Sequence, residues 1–265
     1  MPRQVKIMGI LNVTPDSFSD GGQWQEESAL DVRINQLLAE GADIIDVGGE
    51  SSRPFAGQVG ADTELERVIP AIRKIRQRSH IPVSIDTTKA VVAKEAIAAG
   101  ATMINDISAL RHDPEMVGVV RSFAGPVVIM HMQGTPGDMQ LNPHYEHVVA
   151  EIHDFFRERI DWLEQNGVER SRIIVDPGIG FGKTLAHNLA ILRNVAAFKC
   201  HGCPVLIGHS RKAFLGQLLG VPAGERDWPT AMVSALCAGQ GADILRVHAV
   251  RTTLQALRLM AEMRS

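Results

Sequence analysis

Gly41-Ala-Asp-Ile-Ile-Asp46 returns in altered form as Gly100-Ala-Thr-Met-Ile-Asn105 and again as Gly241-Ala-Asp-Ile-Leu-Arg246. Each copy sets a glycine, which readily ends a helix, ahead of a short apolar run that closes on a polar side chain. A second form of the unit alternates with it. Ile81-Pro-Val-Ser-Ile-Asp86, Gly125-Pro-Val-Val-Ile-Met130 and Cys203-Pro-Val-Leu-Ile-Gly208 place proline at a strand's first residue, where its missing N–H does least harm. Adding 6–11 and 172–176 gives eight buried strands, beginning near positions 6, 43, 82, 102, 126, 172, 204 and 243. Helical patterns fill the intervals at 26–40, 62–78, 90–99, 114–123, 144–165, 185–199, 213–219 and 253–263. Eight strands, each followed by a helix, predict an α/β fold of the (β/α)8 TIM-barrel type, one domain over 1–265; an open doubly wound sheet is the competitor.

The 265 residues are 45% apolar and 22% charged, enough to bury a large core, and the formal charge of −3 gives no reason to expect nucleic acid or a membrane surface as partner. The basic run at 73–78 reads as a solvated helix face. The N-terminal apolar stretch is short for a signal peptide and no window reaches the length of a membrane span, so a cytoplasmic protein is expected. Three cysteines are too few for a disulfide framework. Cys200-His-Gly-Cys203 spells a CxxC without a second pair, and reads as a structural turn rather than a zinc or redox site. His144, His147 and His153 read as a solvated helix face, since no HExxH pattern accompanies them.

In a parallel barrel the chemistry lies at the strands' C-terminal ends. Asn12, Asp46, Asp86, Asn105, Asp176, Arg246 and His248 all end or follow an apolar strand and converge on that mouth. Stability explains so many poorly, because a buried polar group without partners costs about 1–3 kcal/mol. Asp86, Asn105 and Asp176 suit a planar heterocycle with an N–H and amino edge. On the opposite side, Arg53, Lys212, Arg246 and His248 form a positive pole fit for phosphate, and Asn12 beside it can help hold Mg2+. Familiar motifs fail: Pro177 breaks a P-loop, Lys183 stands where a dinucleotide fingerprint needs glycine, and Ser210 lacks the last glycine of a nucleophile elbow. Ser210 is expected to cap the following helix.

Met8-Gly-Ile-Leu-Asn-Val-Thr-Pro-Asp-Ser-Phe-Ser-Asp-Gly-Gly22 resembles the first loop signature of the dihydropteroate synthases. Asp46-Val-Gly-Gly-Glu-Ser-Ser-Arg-Pro54, Ser84-Ile-Asp-Thr87, Asn105-Asp-Ile107, Met130-His-Met-Gln-Gly134, Asp176-Pro-Gly-Ile-Gly-Phe-Gly-Lys183, Ser210-Arg-Lys212 and Arg246-Val-His248 resemble the family's later blocks, in order. The resemblance implies a transferase that joins 6-hydroxymethyl-7,8-dihydropterin diphosphate to p-aminobenzoate. It implies that Asp86, Asn105, Asp176 and Lys212 hold the pterin, that Arg246 and His248 bind diphosphate with Arg53 and Ser52, and that Asn12 binds Mg2+. By the same resemblance Ser52, Arg53, Pro54, Phe181, Lys212 and Ala213 form the aminobenzoate pocket, which sulfonamides target. Asp20, Arg53 and Lys212 are the implied catalytic residues, with Asp20 steadying a pterin methylene cation or taking the amine proton. A homodimer is implied as well. Ser52, Phe55 and Ala213 depart from the family's usual residues. A methyltetrahydrofolate-dependent methyltransferase on the same barrel and a non-catalytic pterin-binding homologue are the alternatives.

Overall fold

Burial on both faces organises the sheet of the computed structural model, which describes residues 5–14, 22–51, 57 and 59–263. Its strands are β1 (Lys6–Asn12), β2 (Ile44–Gly48), β3 (Val83–Asp86), β4 (Met103–Asp106), β5 (Val127–Met130), β6 (Ile173–Asp176), β7 (Leu206–Ile207) and β8 (Ile244–Val247). All are parallel, in the order β6-β5-β4-β3-β2-β1-β8-β7. The remaining seam is drawn together by a parallel bridge between Val175 and Val205, with Val175 N–H donating to Pro204 O at 2.9 Å. The sheet is thus a nearly closed barrel. The prolines at the strand entries lack an N–H but each carbonyl is used: Pro82 O accepts from Ile45, Pro126 O from Ile104 and Pro204 O from Val175.

Alternate strand residues divide between two apolar regions. Ile7, Leu11, Ile45, Val47, Ile85, Ile104, Ile129 and Val175 belong to the large core shared with the helices. Met8, Ile44, Met103, Val128, Ile174, Leu206 and Ile244 form a separate plug inside the barrel. On β2, β4, β6 and β8 the next inward residue is Asp46, Asn105, Asp176 and Arg246, which is why the floor is apolar and the mouth is charged.

The helices are α1 (Gly22–Ala39), α2 (Ala61–Arg78), α3 (Ala90–Ala98), α4 (Met116–Ser122), α5 (Val148–Gln165), α6 (Leu185–Arg193), α7 (Ala213–Leu219), α8 (Asp227–Gly239) and α9 (Val250–Glu262). In α2 the buried positions Glu64, Val68, Ala71, Ile72 and Ile75 follow helical spacing, and α5 buries Val148, Ile152, Phe156, Ile160 and Leu163 in the same way. Gly41, Gly100 and Gly241, read as helix stops, all adopt left-handed φ, of 87°, 116° and 93°. No helix among the described residues is long and apolar enough to cross a membrane.

Several readings of the sequence need correction. The connection between β7 and β8 holds two helices, and α8 was not foreseen. Its buried positions are Thr230, Ala231, Ser234 and Cys237, too small and too polar to show as an apolar stripe. The basic run at 73–78 is partly structural. Arg76 donates to Gly100 O at 2.8 Å and Ile81 O at 2.5 Å, while Lys74 and Arg78 pair with Asp31. His144 and His147 precede α5 instead of lying on it, and His153 turns toward Cys200 and His201. Ser210 caps no helix: Lys212 holds the N-cap position of α7 without a side-chain bond, and the Ser210 hydroxyl is engaged with His248.

Candidate active site

Four inward polar side chains, Arg246, Asp46, Asp86 and Asn105, form one hydrogen-bonded set. Arg246, on β8, donates from Nε to Asp46 Oδ2 at 2.6 Å and from Nη2 to Asp86 Oδ2 at 2.7 Å. Asn105 Nδ2 donates to the same Asp46 oxygen at 3.2 Å, and Asp46 Oδ1 is buried without a partner. Arg246 therefore lies among the carboxylates, which corrects the reading of an acidic side facing a separate basic pole. The strand register explains this, since Met8 is paired with both Ile44 and Arg246, bringing β8 and β2 to opposite flanks of β1.

Burial works to lower the Arg246 pKa, but Asp46 and Asp86 outweigh it and the guanidinium is held charged. Burial pushes the Asp86 carboxyl up to about 7, against the pull of Arg246. Asp176, at the end of β6, is raised by burial too; its Oδ1 accepts from Gly178 N–H at 2.8 Å. Lys212 donates to Ile179 O and lies 4.2 Å from the Phe181 ring centroid. Burial brings its amine down to about 7, although Asp176 favours the ammonium. Ala213, next to it, is exposed at the first turn of α7.

His248 does not match its expected charge. Its Nδ1 lies 2.9 Å from Ser210 Oγ, and its backbone N–H donates to the same hydroxyl at 3.1 Å. Burial, then Arg211 and Arg246, push its pKa to about 3, so the ring is neutral in this state. Ser210 is thus a positioning residue that sequence reasoning placed at a helix end.

Two glycines border the polar side chains of the mouth. A Cβ on Gly48 would lie 3.7 Å from both Asn12 Oδ1 and Asp86 Oδ2, at ordinary contact distance. A Cβ on Gly208 would lie 3.4 Å from Asp176 Oδ2 and 3.8 Å from Arg246 Cδ. The sequence also gave no sign of an apolar wall made by Met130, Met132, Met139 and Phe181 with Ile107 packed against it. Met132 and Met139 lie on the loop after β5, where apolar residues carry no periodic signal. A cavity of about 380 Å³ opens beside Asp86 and is bounded by Thr87, Lys89, Ile107, Arg111 and Met132. Lys89, which bonds Glu50 and Glu64 at 2.5 Å each, closes one flank of it.

Asn12, Asp46, Asp86, Asn105, Asp176, Lys212, Arg246 and His248 all lie at the strand ends or the turns that follow them, and Phe181 joins them through Lys212. Asp20, Ser52, Arg53, Pro54 and Phe55 lie outside the described residues.

A family model described as pterin binding enzyme matches residues 8–248. The dihydropteroate synthase of Escherichia coli strain K12 is 44% identical over 256 residues, covering 96% of this chain and 90% of that protein. That of Synechocystis is 42% identical over 258 residues, covering 97% and 89%. Among solved structures, Xanthomonas albilineans dihydropteroate synthase with 4-aminobenzoic acid superimposes with a TM-score of 0.93 at 43% identity, covering 99% of this chain and 94% of that one. A second structure from that organism, in complex with 7,8-dihydropteroate, gives a TM-score of 0.90 at 41% identity and the same coverage.

Proposed function

The chain belongs to the pterin-binding enzymes, among the dihydropteroate synthases, and is a transferase; we propose how its barrel mouth carries out that reaction. The substrates are 6-hydroxymethyl-7,8-dihydropterin diphosphate and p-aminobenzoate, and the products are 7,8-dihydropteroate and diphosphate. The observation that carries the reading is that Asp86, Asn105, Asp176 and Lys212 stand together at the barrel mouth, Asp86 and Asn105 joined through Arg246 and Asp46 and Lys212 beside the Phe181 ring of a wall made with methionines.

Asp176 and Asp86 accept from the N–H and amino edge of the pterin, Asn105 supplies an amide, and Lys212 donates to a ring acceptor. The flat face of the ring lies against the apolar wall. Arg246 steadies the departing diphosphate while drawing Asp86 toward its ionised form, against the effect of burial. His248, neutral and fixed by Ser210, donates one N–H toward phosphate oxygen. Arylamine nitrogen is a weak nucleophile, so the residues act chiefly as fixed electrostatics on bond cleavage at the pterin methylene. Ser52, Arg53, Pro54, Phe181, Lys212 and Ala213 form the aminobenzoate side, and Asp20 takes the amine proton or steadies the cation. Asn12 Oδ1, a hard oxygen at the end of β1 that would lie 3.7 Å from a Cβ on Gly48, suits Mg2+ as the cofactor, with Asn12 its ligand. Bound there, Mg2+ would supply positive charge to the diphosphate oxygens.

A homodimer accompanies this reading. Trp228, Met232 and Leu236 stand at four-residue intervals on the exposed face of α8, with Leu259 and Met263 exposed on and just after the neighbouring α9. A second copy would cover that face. The compartment is the cytoplasm, in keeping with three free cysteines.

Incubating the purified chain with Mg2+, the pterin diphosphate and labelled p-aminobenzoate tests the activity. Dihydropteroate and diphosphate should appear in equal amounts. Diphosphate release without incorporation of the label would overturn the transferase reading.

A further inference from the structure

We propose that His153, Cys200 and His201 form a binding site for a soft transition-metal ion, with Zn2+ the ion their ligand set favours. His153 comes from the second turn of α5, and Cys200 and His201 from the 3-10 segment Val195–His201 that precedes β7. Their ligand atoms lie within 4.8 Å of one another. His153 Nδ1 is 2.9 Å from His201 Nε2, and Cys200 Sγ is 3.7 Å from His153 Nδ1.

Two imidazoles and a thiolate are the donors that a borderline-soft cation prefers, whereas Mg2+ takes oxygen. Bond lengths of about 2.0 Å to nitrogen and about 2.3 Å to sulfur put tetrahedral neighbours about 3.3–3.5 Å apart. The sulfur is 3.7 Å from His153 Nδ1, about 0.2 Å beyond that spacing, and within 4.8 Å of the His201 ligand atom. The two ring nitrogens, now sharing one proton, need to part by only about 0.4 Å. On binding, the donor ring moves its proton to its other nitrogen and the Cys200 thiol releases one to solvent, so both nitrogens and the sulfur offer lone pairs.

Neighbouring rings hold the ligands in place. His153 stacks at 4.8 Å on Phe198, and His201 meets Phe156 edge-on at 5.7 Å. The positive groups bordering the recess are countered: Arg157 pairs with Asp154 at 3.0 Å and Arg170 with Glu164 at 2.5 Å. Cys200 is exposed, which leaves a fourth coordination position to water. The CxxC spacing misleads here. Cys203 is buried, with Sγ directed to the carbonyls of Arg170 and His201, so the partner of Cys200 is a histidine on another helix. A metal at this site ties α5 to the entry of β7, on residues separate from those of the mouth.

Co2+ titration of the chelator-stripped full chain is the test. One equivalent should bind with a thiolate-to-cobalt charge-transfer band, and one equivalent of Zn2+ should abolish the band. Cys200→Ser should remove the band and His153→Ala should weaken Co2+ binding at least tenfold, both with synthase turnover retained. Cys203→Ala should bind as the parent does. A band that survives Cys200→Ser, an affinity unchanged in His153→Ala, or no thiolate band at saturating Co2+ would overturn the site without touching the reading of the mouth.

Discussion

In the proposed mechanism Arg246 couples two tasks that its position in the sequence suggested were separate, pairing with Asp46 and Asp86 while serving the diphosphate. With Arg246→Ala, Asp46 and Asp86 face each other as buried carboxylates lacking their cation, and breaking such a pair costs about 3–5 kcal/mol of stability. The loss should reach the pterin as well as the diphosphate. Without the guanidinium, burial holds the Asp86 proton on at neutral pH, and a protonated carboxyl accepts less well from a pterin N–H edge. Affinity for a phosphate-free pterin should fall about tenfold or more at pH 7, on the order of 1.4 kcal/mol. Because an acid ionises as pH rises, part of that loss should return above pH 8. Calorimetric titration across this range decides the matter, and a variant with parental affinity at every pH would confine Arg246 to phosphate. The acidic residues of the mouth were legible because each ended an apolar run. Their pairing was not, since residues 200 positions apart meet only through the order of the strands.

The helices show why legibility stopped where it did. Strands announced themselves through the glycine and proline that precede them, and α2 and α5 through large apolar residues at helical spacing. In α8 the pattern is inverted, with small residues inside and Trp228, Met232 and Leu236 outside, so it carries no inward-facing apolar signal. The inversion makes a prediction. Leu236→Glu should turn a dimer into a monomer in sedimentation equilibrium without unfolding it, because the side chain is 67% exposed in the single chain. A dimer of undiminished affinity would place the interface elsewhere. The helix-stop glycines differ among themselves in a measurable way. Gly241→Ala meets open space and should cost only the left-handed backbone, about 1 kcal/mol. Gly100→Ala sets a Cβ 2.9 Å from Arg76 Cγ, and the guanidinium beyond it is pinned on the carbonyls of Gly100 and Ile81. Denaturant midpoints should therefore rank Gly100→Ala well below Gly241→Ala, and equal losses would show that Arg76 yields freely.

Across the whole molecule, buried histidines and buried carboxylates set opposite slopes of stability against pH. Burial lowers His131 to about 2, His248 to about 3 and His209 to about 4, so in acid the unfolded chain takes up protons that the fold refuses. Those three groups make stability fall as pH drops below their ordinary value of 6.5. Asp86, up at about 7, and Asp106, up at about 6, do the reverse: the fold keeps protons that the unfolded chain releases, and stability falls as pH rises from about 4 toward 6. Between about pH 5 and 6 the unfolded chain's excess over these five groups is then about one proton, which corresponds to roughly 1.4 kcal/mol per pH unit. Asp176, also raised, trims it, whereas His153, His187 and His201, lowered by burial, add to it. The acid limb should consequently be shallow for a chain with three such histidines. Asp106 offers the cleanest way to expose the balance. Its carboxyl is held by Ser108 and the Leu110 N–H, and burial is the main cause of its shift. Asp106→Asn removes one opposing proton, so the slope between pH 5 and 6 should roughly double, on top of a uniform loss of about 1–3 kcal/mol from the missing acceptor. His209→Gln should flatten the slope instead, since it removes a histidine that burial keeps neutral, against the pull of the Thr230 carbonyl. Urea unfolding at several pH values measures both, and an Asp106→Asn slope equal to the parent's would mean that Asp106 is already ionised in the fold.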